Sequence, residues 1–203
     1  MHAVVFDIDG TLLQSAAVDD ALYQEAVRSV LGDVRIRSSL SEYSYISDSG
    51  ILTEIFADNC IPADPELVDS IKAHFVEALK LHISTEGPFP EIPGARNILS
   101  SLSRSLNHSV ALATGGWRAS ALLKLESSGF GGLNVPLATS DDAQDRKEIM
   151  RIALSRLGKS FDTVTYYGDG PWDRDASREL GWHFVPVGSA LGGLKSYDDL
   201  DDV

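Results

Sequence analysis

The sequence predicts an α/β protein, a parallel sheet core interrupted after its first strand by an all-helical insert. Three observations predict this. Five short segments rich in β-branched and aromatic residues have the look of strands. Helix-like stretches, each stopping at a glycine, separate the last four of them. The strand signal then vanishes between residues 14 and 86, where only helical periodicity is found. Alternation of strand and helix implies parallel pairing with helices on both sheet faces.

The strand segments are 2–8, 109–114, 135–139, 163–167 and 183–187. Between them, 117–128 puts Leu122 and Leu125 on one helical face, and 146–157 presents Ile149, Ile152, Ala153 and Leu157. A third helix covers 173–180. Gly129, Gly158 and Gly181 follow these runs, the position at which a left-handed residue ends a helix. Within the insert, Leu22, Ala26 and Val30 recur at four-residue spacing, as do Leu67, Ile71, Phe75 and Leu79. Asp64 is placed as an N-cap before Pro65 at the first helical position. Gly87-Pro88, Pro90 and Pro93-Gly94 punctuate the return to the sheet. The expected division is therefore 1–14 with 88–203 as core and 15–87 as insert. The acidic stretch Asp198–Asp202 reads as a solvated tail.

Thirty acidic residues against 17 basic ones, net −13, argue against nucleic acid or an anionic membrane as partner, since both demand a basic surface. A small anionic substrate stays compatible, because a metal and a few donors can handle it locally. No apolar run approaches the roughly 18 residues of a membrane span. With no secretory signal evident, a cytoplasmic protein is expected, as monomer or homodimer. Cys60 is the single cysteine and reads as a buried inert thiol in a reducing compartment.

The chemistry gathers where strands end. In an open parallel sheet, loops at the carboxyl ends of the strands form the ligand crevice. "VVFDIDGTLL", residues 4–13, runs from an apolar strand into Asp7, Asp9, Gly10 and Thr11. The second strand ends in Thr114-Gly115-Gly116, and the third leads to Asp141-Asp142 and then Arg146-Lys147. The fourth ends in Gly168-Asp169-Gly170, with Asp173 beyond it. Strand alternation sends Asp7 and Asp9 to one side, where they repel unless a cation lies between them. Asp169 adds a third carboxylate. An oxygen-only donor set suits Mg²⁺, which takes a few carboxylates together with waters and a substrate phosphate. A carboxylate can attack phosphorus, and a second carboxyl nearby can protonate the leaving oxygen and then activate water. Thr114 and adjacent backbone N–H groups suit phosphoryl oxygens, and Arg146 or Lys147 suits the developing charge. Asp141 and Asp142 read as loop acids or a helix cap, and Trp117, Trp172 and Trp182 as packing residues, with Trp172 also placed to wall a pocket. Tyr43, Tyr45, Ser47 and Asp48 are open between substrate contact and ordinary loop structure.

These motifs resemble those of the haloacid dehalogenase superfamily, close to its phosphoglycolate-phosphatase-like branch. "FDIDGTLL" matches its first motif, "VALATGG" its second and "GDGPWD" its fourth. "SDSGILTEIF" resembles, less specifically, a cap segment of that branch. The resemblance spans the chain and implies a Rossmann-like core with a helical cap. It also implies an Mg²⁺-dependent phosphatase of a small phosphorylated metabolite, acting through an aspartyl-phosphate. By the same resemblance Asp7 is the nucleophile and Asp9 the general acid/base. Asp7, the backbone carbonyl of Asp9 and Asp169 bind Mg²⁺, with Asp173 in support. Gly10, Thr114, Gly115 and Arg146 bind the phosphoryl group. Two departures stand out. Gly116 replaces the asparagine of many relatives, and the register of the third motif puts Arg146 at the usual lysine position with Lys147 beside it. Asp9 argues against dehalogenase and phosphonate-cleaving relatives; a phosphomutase or a non-catalytic binding module are the rivals.

Overall fold

The computed structural model describes residues 1–200. Five parallel strands, β1 (His2–Phe6), β2 (His108–Ala113), β3 (Leu137–Ala138), β4 (Thr163–Gly168) and β5 (His183–Pro186), form one sheet in the order β3-β2-β1-β4-β5. Phe6 of β1 sits in register with Leu112 of β2 on one side and Tyr167 of β4 on the other. The chain moves outward from β1 to β3 and then returns to β4, so the strand order reverses between β1 and β4. A crevice opens at such a reversal, outside the carboxyl ends of the strands.

Among the described residues seven α-helices accompany the sheet: α1 (Ala16–Leu31), α2 (Asp48–Asp58), α3 (Pro65–Glu86), α4 (Ala95–Arg104), α5 (Arg118–Leu125), α6 (Arg146–Ser155) and α7 (Pro171–Leu180). Alternation along β1 sends Val5 to one face, where it packs with Ala111, Tyr166, Ile149 and Met150 beneath α6 and α7. Val4 and Phe6 point to the other face and join Leu99 and Leu102 of α4. That second core continues without a break into α1, α2 and α3. Its joint is Trp117, 2% exposed, with Tyr23 of α1 at 5.3 Å and Phe75 of α3 at 5.9 Å between ring centroids.

Residues 16–86 contain helices and turns and no strand, as the sequence predicts. Asp64 caps α3 by accepting the Glu66 N–H at 2.9 Å. Four expectations are corrected. First, α4 is a helix the sequence reading passed over; its four buried residues Ala95, Ile98, Leu99 and Leu102 fit a helical stripe, but serines and polar residues dilute it. Second, Leu122 is 41% exposed, because α5 buries Ser120, Ala121, Lys124 and Leu125 instead. Third, Cys60 is exposed, lying just past the end of α2 in a left-handed turn with φ 54°. Fourth, residues 196–200 are not a free tail. Tyr197 is buried and its hydroxyl donates to the Thr11 carbonyl at 3.0 Å, docking a single helical turn whose Asp198 and Asp199 stay exposed. Asp201 and Asp202 lie outside the described residues.

Candidate active site

Asp7 is the first residue past β1, and its N–H donates to Tyr167 O at 2.9 Å, which ties it to β4 at the reversal point. The strand ends at Phe6, two residues earlier than its composition suggests, so Asp7 and Asp9 stand on a loop and not on a pleat. The loop turns sharply at Gly10, φ 77°, where any Cβ would overlap the Asp169 carboxylate. Only glycine lets this backbone pass so close to the acid at the end of β4.

Thr114 follows β2, is 1% exposed and accepts the Gly116 N–H at 3.1 Å. Gly115 accepts from the Asp48 N–H at 2.8 Å, and Asp48 Oδ2 accepts the Trp117 N–H at 2.9 Å. The start of α2 is thus pinned onto the loop after β2. Asp141 accepts the Arg118 N–H at 2.7 Å, so two acids from elsewhere cap an α5 that has no capping side chain of its own. Asp142 lies outside the crevice in a network with Arg156 and Arg118.

Asp173 is placed by helix mechanics. It is the third residue of α7, behind Pro171, and accepts the Gly170 N–H at 3.2 Å. It is 0% exposed and faces Arg146, whose Nε lies 3.3 Å from its Oδ1 without the alignment of a hydrogen bond. That Nε is buried and has no hydrogen-bond partner. Arg146 Nη1 donates to Asp7 Oδ1 at 3.3 Å, and the Thr11 hydroxyl donates to Asp7 Oδ2 at 3.3 Å. Lys147, the other candidate cation, points away; it pairs with Glu179 at 2.7 Å on the outer face of α6, and its side chain is 32% exposed. Neighbours on a helix diverge by about 100°, so only one of the two can face the crevice.

Carboxylate oxygens of Asp7, Asp169 and Asp173 lie within 4.8 Å of one another. Burial, then the nearby Asp173, hold the Asp7 carboxyl well above its ordinary range against the pull of Arg146. The same two causes push Asp169 up to about 7. Burial also raises Asp173, opposed by Arg146. Two buried acids and a half-buried third facing one guanidinium are short of positive charge, and an all-oxygen donor set of this size fits a hard divalent cation. The Asp9 carboxylate is not part of this trio. Its Oδ1 accepts from the Ser15 hydroxyl at 2.5 Å and from Lys124 Nζ at 2.6 Å.

Lys124, 0% exposed, also pairs with Asp19 of α1. Burial pulls its ammonium down, but Asp19 and Asp9 outweigh that and raise it. Burial lifts Asp19 to about 7, against Lys124, and lifts Asp48 well above its usual range with Asp19 adding to the effect. Lys124, Ser15 and Asp19 escaped the sequence reading. The available signal was a lysine on the buried stripe of α5, at i+3 from Ala121.

A cavity of about 150 Å³ opens over these groups. Asp7, Asp9, Thr114, Arg146 and Asp169 form its floor, and Tyr23, Leu40, Ile46, Ile51 and Trp172 its apolar walls. Asp19, Asp20, Ser47 and Asp48 also line it, Asp19 joined to Asp9 through Lys124, and Arg146 is the one cation among its lining residues. Of the insert residues open to substrate contact, Ser47 and Asp48 reach the cavity. Tyr43 is buried beneath Arg37, and Tyr45 is 45% exposed.

The sequence model described as haloacid dehalogenase-like hydrolase matches residues 1–181. Among solved structures, a hydrolase from Pseudomonas syringae aligns at TM-score 0.70 with 20% identity, covering 92% of this chain and 84% of that one. The β-phosphoglucomutase of Clostridium difficile aligns at TM-score 0.70 with 18% identity, over 92% of this chain and 84% of that one. CbbY from Rhodobacter sphaeroides in complex with phosphate gives 0.67 with 19% identity, over 98% and 89%. At these identities the structural likeness shows the shared fold. No curated protein matches the sequence at a significant level. Among the described residues no helix is long and apolar enough to cross a membrane.

Proposed function

Since the chain belongs to the haloacid dehalogenase-like hydrolase family, we propose that it is an Mg²⁺-dependent phosphatase of a small phosphorylated metabolite, working through a phosphoryl group carried on Asp7. The observation that carries this reading is the meeting of Asp7, Asp169 and Asp173 within 4.8 Å beneath Arg146, at the strand-order reversal. Asp7, the Asp9 carbonyl and Asp169 would hold the ion, with Asp173 behind them. When bound, the ion neutralises the acids and the phosphoryl oxygens they face.

A phosphate monoester enters with its oxygens toward Thr114, the Gly115 N–H and the Arg146 guanidinium, whose Nη2 borders Gly115. An Asp7 oxygen attacks phosphorus, and the ester P–O bond breaks. Its electron pair goes to the leaving oxygen, which takes a proton from Asp9. Water then gives a proton to Asp9 and attacks phosphorus, the Asp7–phosphorus bond breaks, and inorganic phosphate leaves. The apolar walls from Leu40 to Trp172 exclude bulk water from the reacting atoms.

The same cavity favours hydrolase over mutase. A mutase must hold a second phosphate in its pocket, and among the described residues no cation beyond Arg146 lines the cavity; Lys124 does not line it and is already paired with Asp9 and Asp19. Intact acids at every motif speak against a purely binding role.

Phosphate release from p-nitrophenyl phosphate, glycerol 3-phosphate, glucose 6-phosphate, phosphoethanolamine and phosphoglycolate tests the proposal. Turnover is expected with Mg²⁺ and none after chelation. Asp7→Asn should fold normally and lose at least about 10³-fold, the scale on which removing a nucleophile acts. Near wild-type rates in Asp7→Asn, or no release from any ester, would overturn it.

A further inference from the structure

We propose that Lys124, together with Ser15, is a positioning residue that fixes one oxygen of Asp9 so that only the other faces the leaving group. The inference rests on the phosphatase reading above and goes beyond it.

Asp9 Oδ1 is held twice, by the Ser15 hydroxyl at 2.5 Å and by Lys124 Nζ at 2.6 Å. Neither donor comes cheaply. Ser15 occupies the N-cap position of α1, yet its hydroxyl makes no capping bond there. It forgoes the helix-stabilising bond that this position offers. Lys124 reaches in from α5 with no exposed surface, and a buried ammonium is tolerated only where carboxylates surround it. Its second partner, Asp19, sits one helical turn past Ser15 on α1. The three contacts link the loop after β1, the first helix of the insert and the helix after β2 through Asp9 Oδ1 and Lys124 Nζ.

Oδ2 is left with no such partner. It borders the space over Gly116: a Cβ built at that glycine would lie 3.8 Å from Asp9 Oδ2 and 3.5 Å from Thr114 Oγ1. The free oxygen therefore faces the loop assigned to the phosphoryl group, and the missing side chain at 116 keeps the approach open. With both χ angles of Asp9 fixed in advance, the ordering cost of proton transfer falls on folding and not on the reaction.

A residue that merely stabilised the fold would, when removed, depress all substrates alike. A residue that positions the proton donor acts on esters whose leaving oxygen needs the proton. An alkoxide needs it; p-nitrophenolate departs readily without it. The test compares kcat/KM for p-nitrophenyl phosphate with that for the best alkyl ester of the panel, in wild type, Lys124→Met and Ser15→Ala. The alkyl-to-aryl ratio should fall at least tenfold in Lys124→Met and by a smaller factor in Ser15→Ala. If Lys124→Met does not fold, the double variant with Asp19→Asn, which strands one charge fewer, carries the same expectation. An unchanged ratio overturns the inference while leaving the phosphatase reading intact, as does a wild-type protein that cleaves only the aryl ester. A wild-type protein inert on every ester removes the phosphatase reading itself.

Discussion

Arg146 is the residue on which the crevice depends for positive charge, and replacing it has consequences of calculable size. Arg146→Met removes the one cation that lines the cavity and touches both Asp7 and Asp173. A preorganised donor aimed at developing charge is worth about 2.7–4 kcal/mol in a water-excluded site, so kcat/KM should fall about 10²–10³-fold. Stability falls too. The guanidinium side chain is 10% exposed and Asp173 is 0% exposed, and stranding one member of such a pair costs about 3–5 kcal/mol. Proton uptake by Asp173 offsets part of this. At roughly 2–4 °C per kcal/mol for a chain of this size, the thermal midpoint should drop by up to about 20 °C. Arg146→Lys keeps the charge but replaces the separate Nη1 and Nε contacts to Asp7 and Asp173 with a single compact ammonium on a shorter stem. A loss near tenfold is expected, the effect of about 1.4 kcal/mol. Lys147→Met serves as the control: its partner Glu179 is 56% exposed, and such a pair contributes about 0–1 kcal/mol. Steady-state phosphate release, read well below each variant's thermal transition with circular dichroism as the check on folding, measures all three. A Lys147→Met protein that loses activity while Arg146→Met retains it would refute the assignment.

Three further outcomes follow from the same structure. Asp19 and Asp169 have folded pKa values raised to about 7, whereas the unfolded value is about 4. The folded state therefore binds more protons between those limits, and their contribution to stability, full below pH about 4, is lost as pH rises toward 7. Urea midpoints in chelator should decline across that window, less steeply in Asp169→Asn; an equal slope in the variant would contradict the burial of this acid. Trp117→Ala opens a cavity where sheet and insert meet and should cost about 3–5 kcal/mol in urea unfolding. One transition seen alike by fluorescence of the other tryptophans and by circular dichroism is expected, since the core runs unbroken into α1–α3. Asp20, which lines the cavity with no cation paired to it among the described residues, predicts that phosphoethanolamine is cleaved with higher kcat/KM than phosphoglycolate; the reverse order would show that Asp20 does not meet the leaving group.

Much of this protein was legible before any fold was known. The strands, the glycine stops, the Asp64 cap and the strand-free stretch depend on near neighbours, whose spacing the chain displays directly. Asp7, Asp9, Thr114, Asp169 and Asp173 were legible for a related reason: each sits at a fixed offset from a strand end, and a parallel sheet gathers all its strand ends on one rim. Tertiary structure alone decided the remainder. It turns Arg146 and not Lys147 into the crevice, because one residue of helical rotation separates an inward from an outward side chain. It revealed α4, whose stripe gains meaning only against the sheet that covers it. Above all, it joined Lys124 to Asp9 across 115 positions of sequence. A lysine inside an apolar stripe reads as an error until the carboxylates that neutralise it are seen, and electrostatic partnership between distant residues leaves no local mark on a chain.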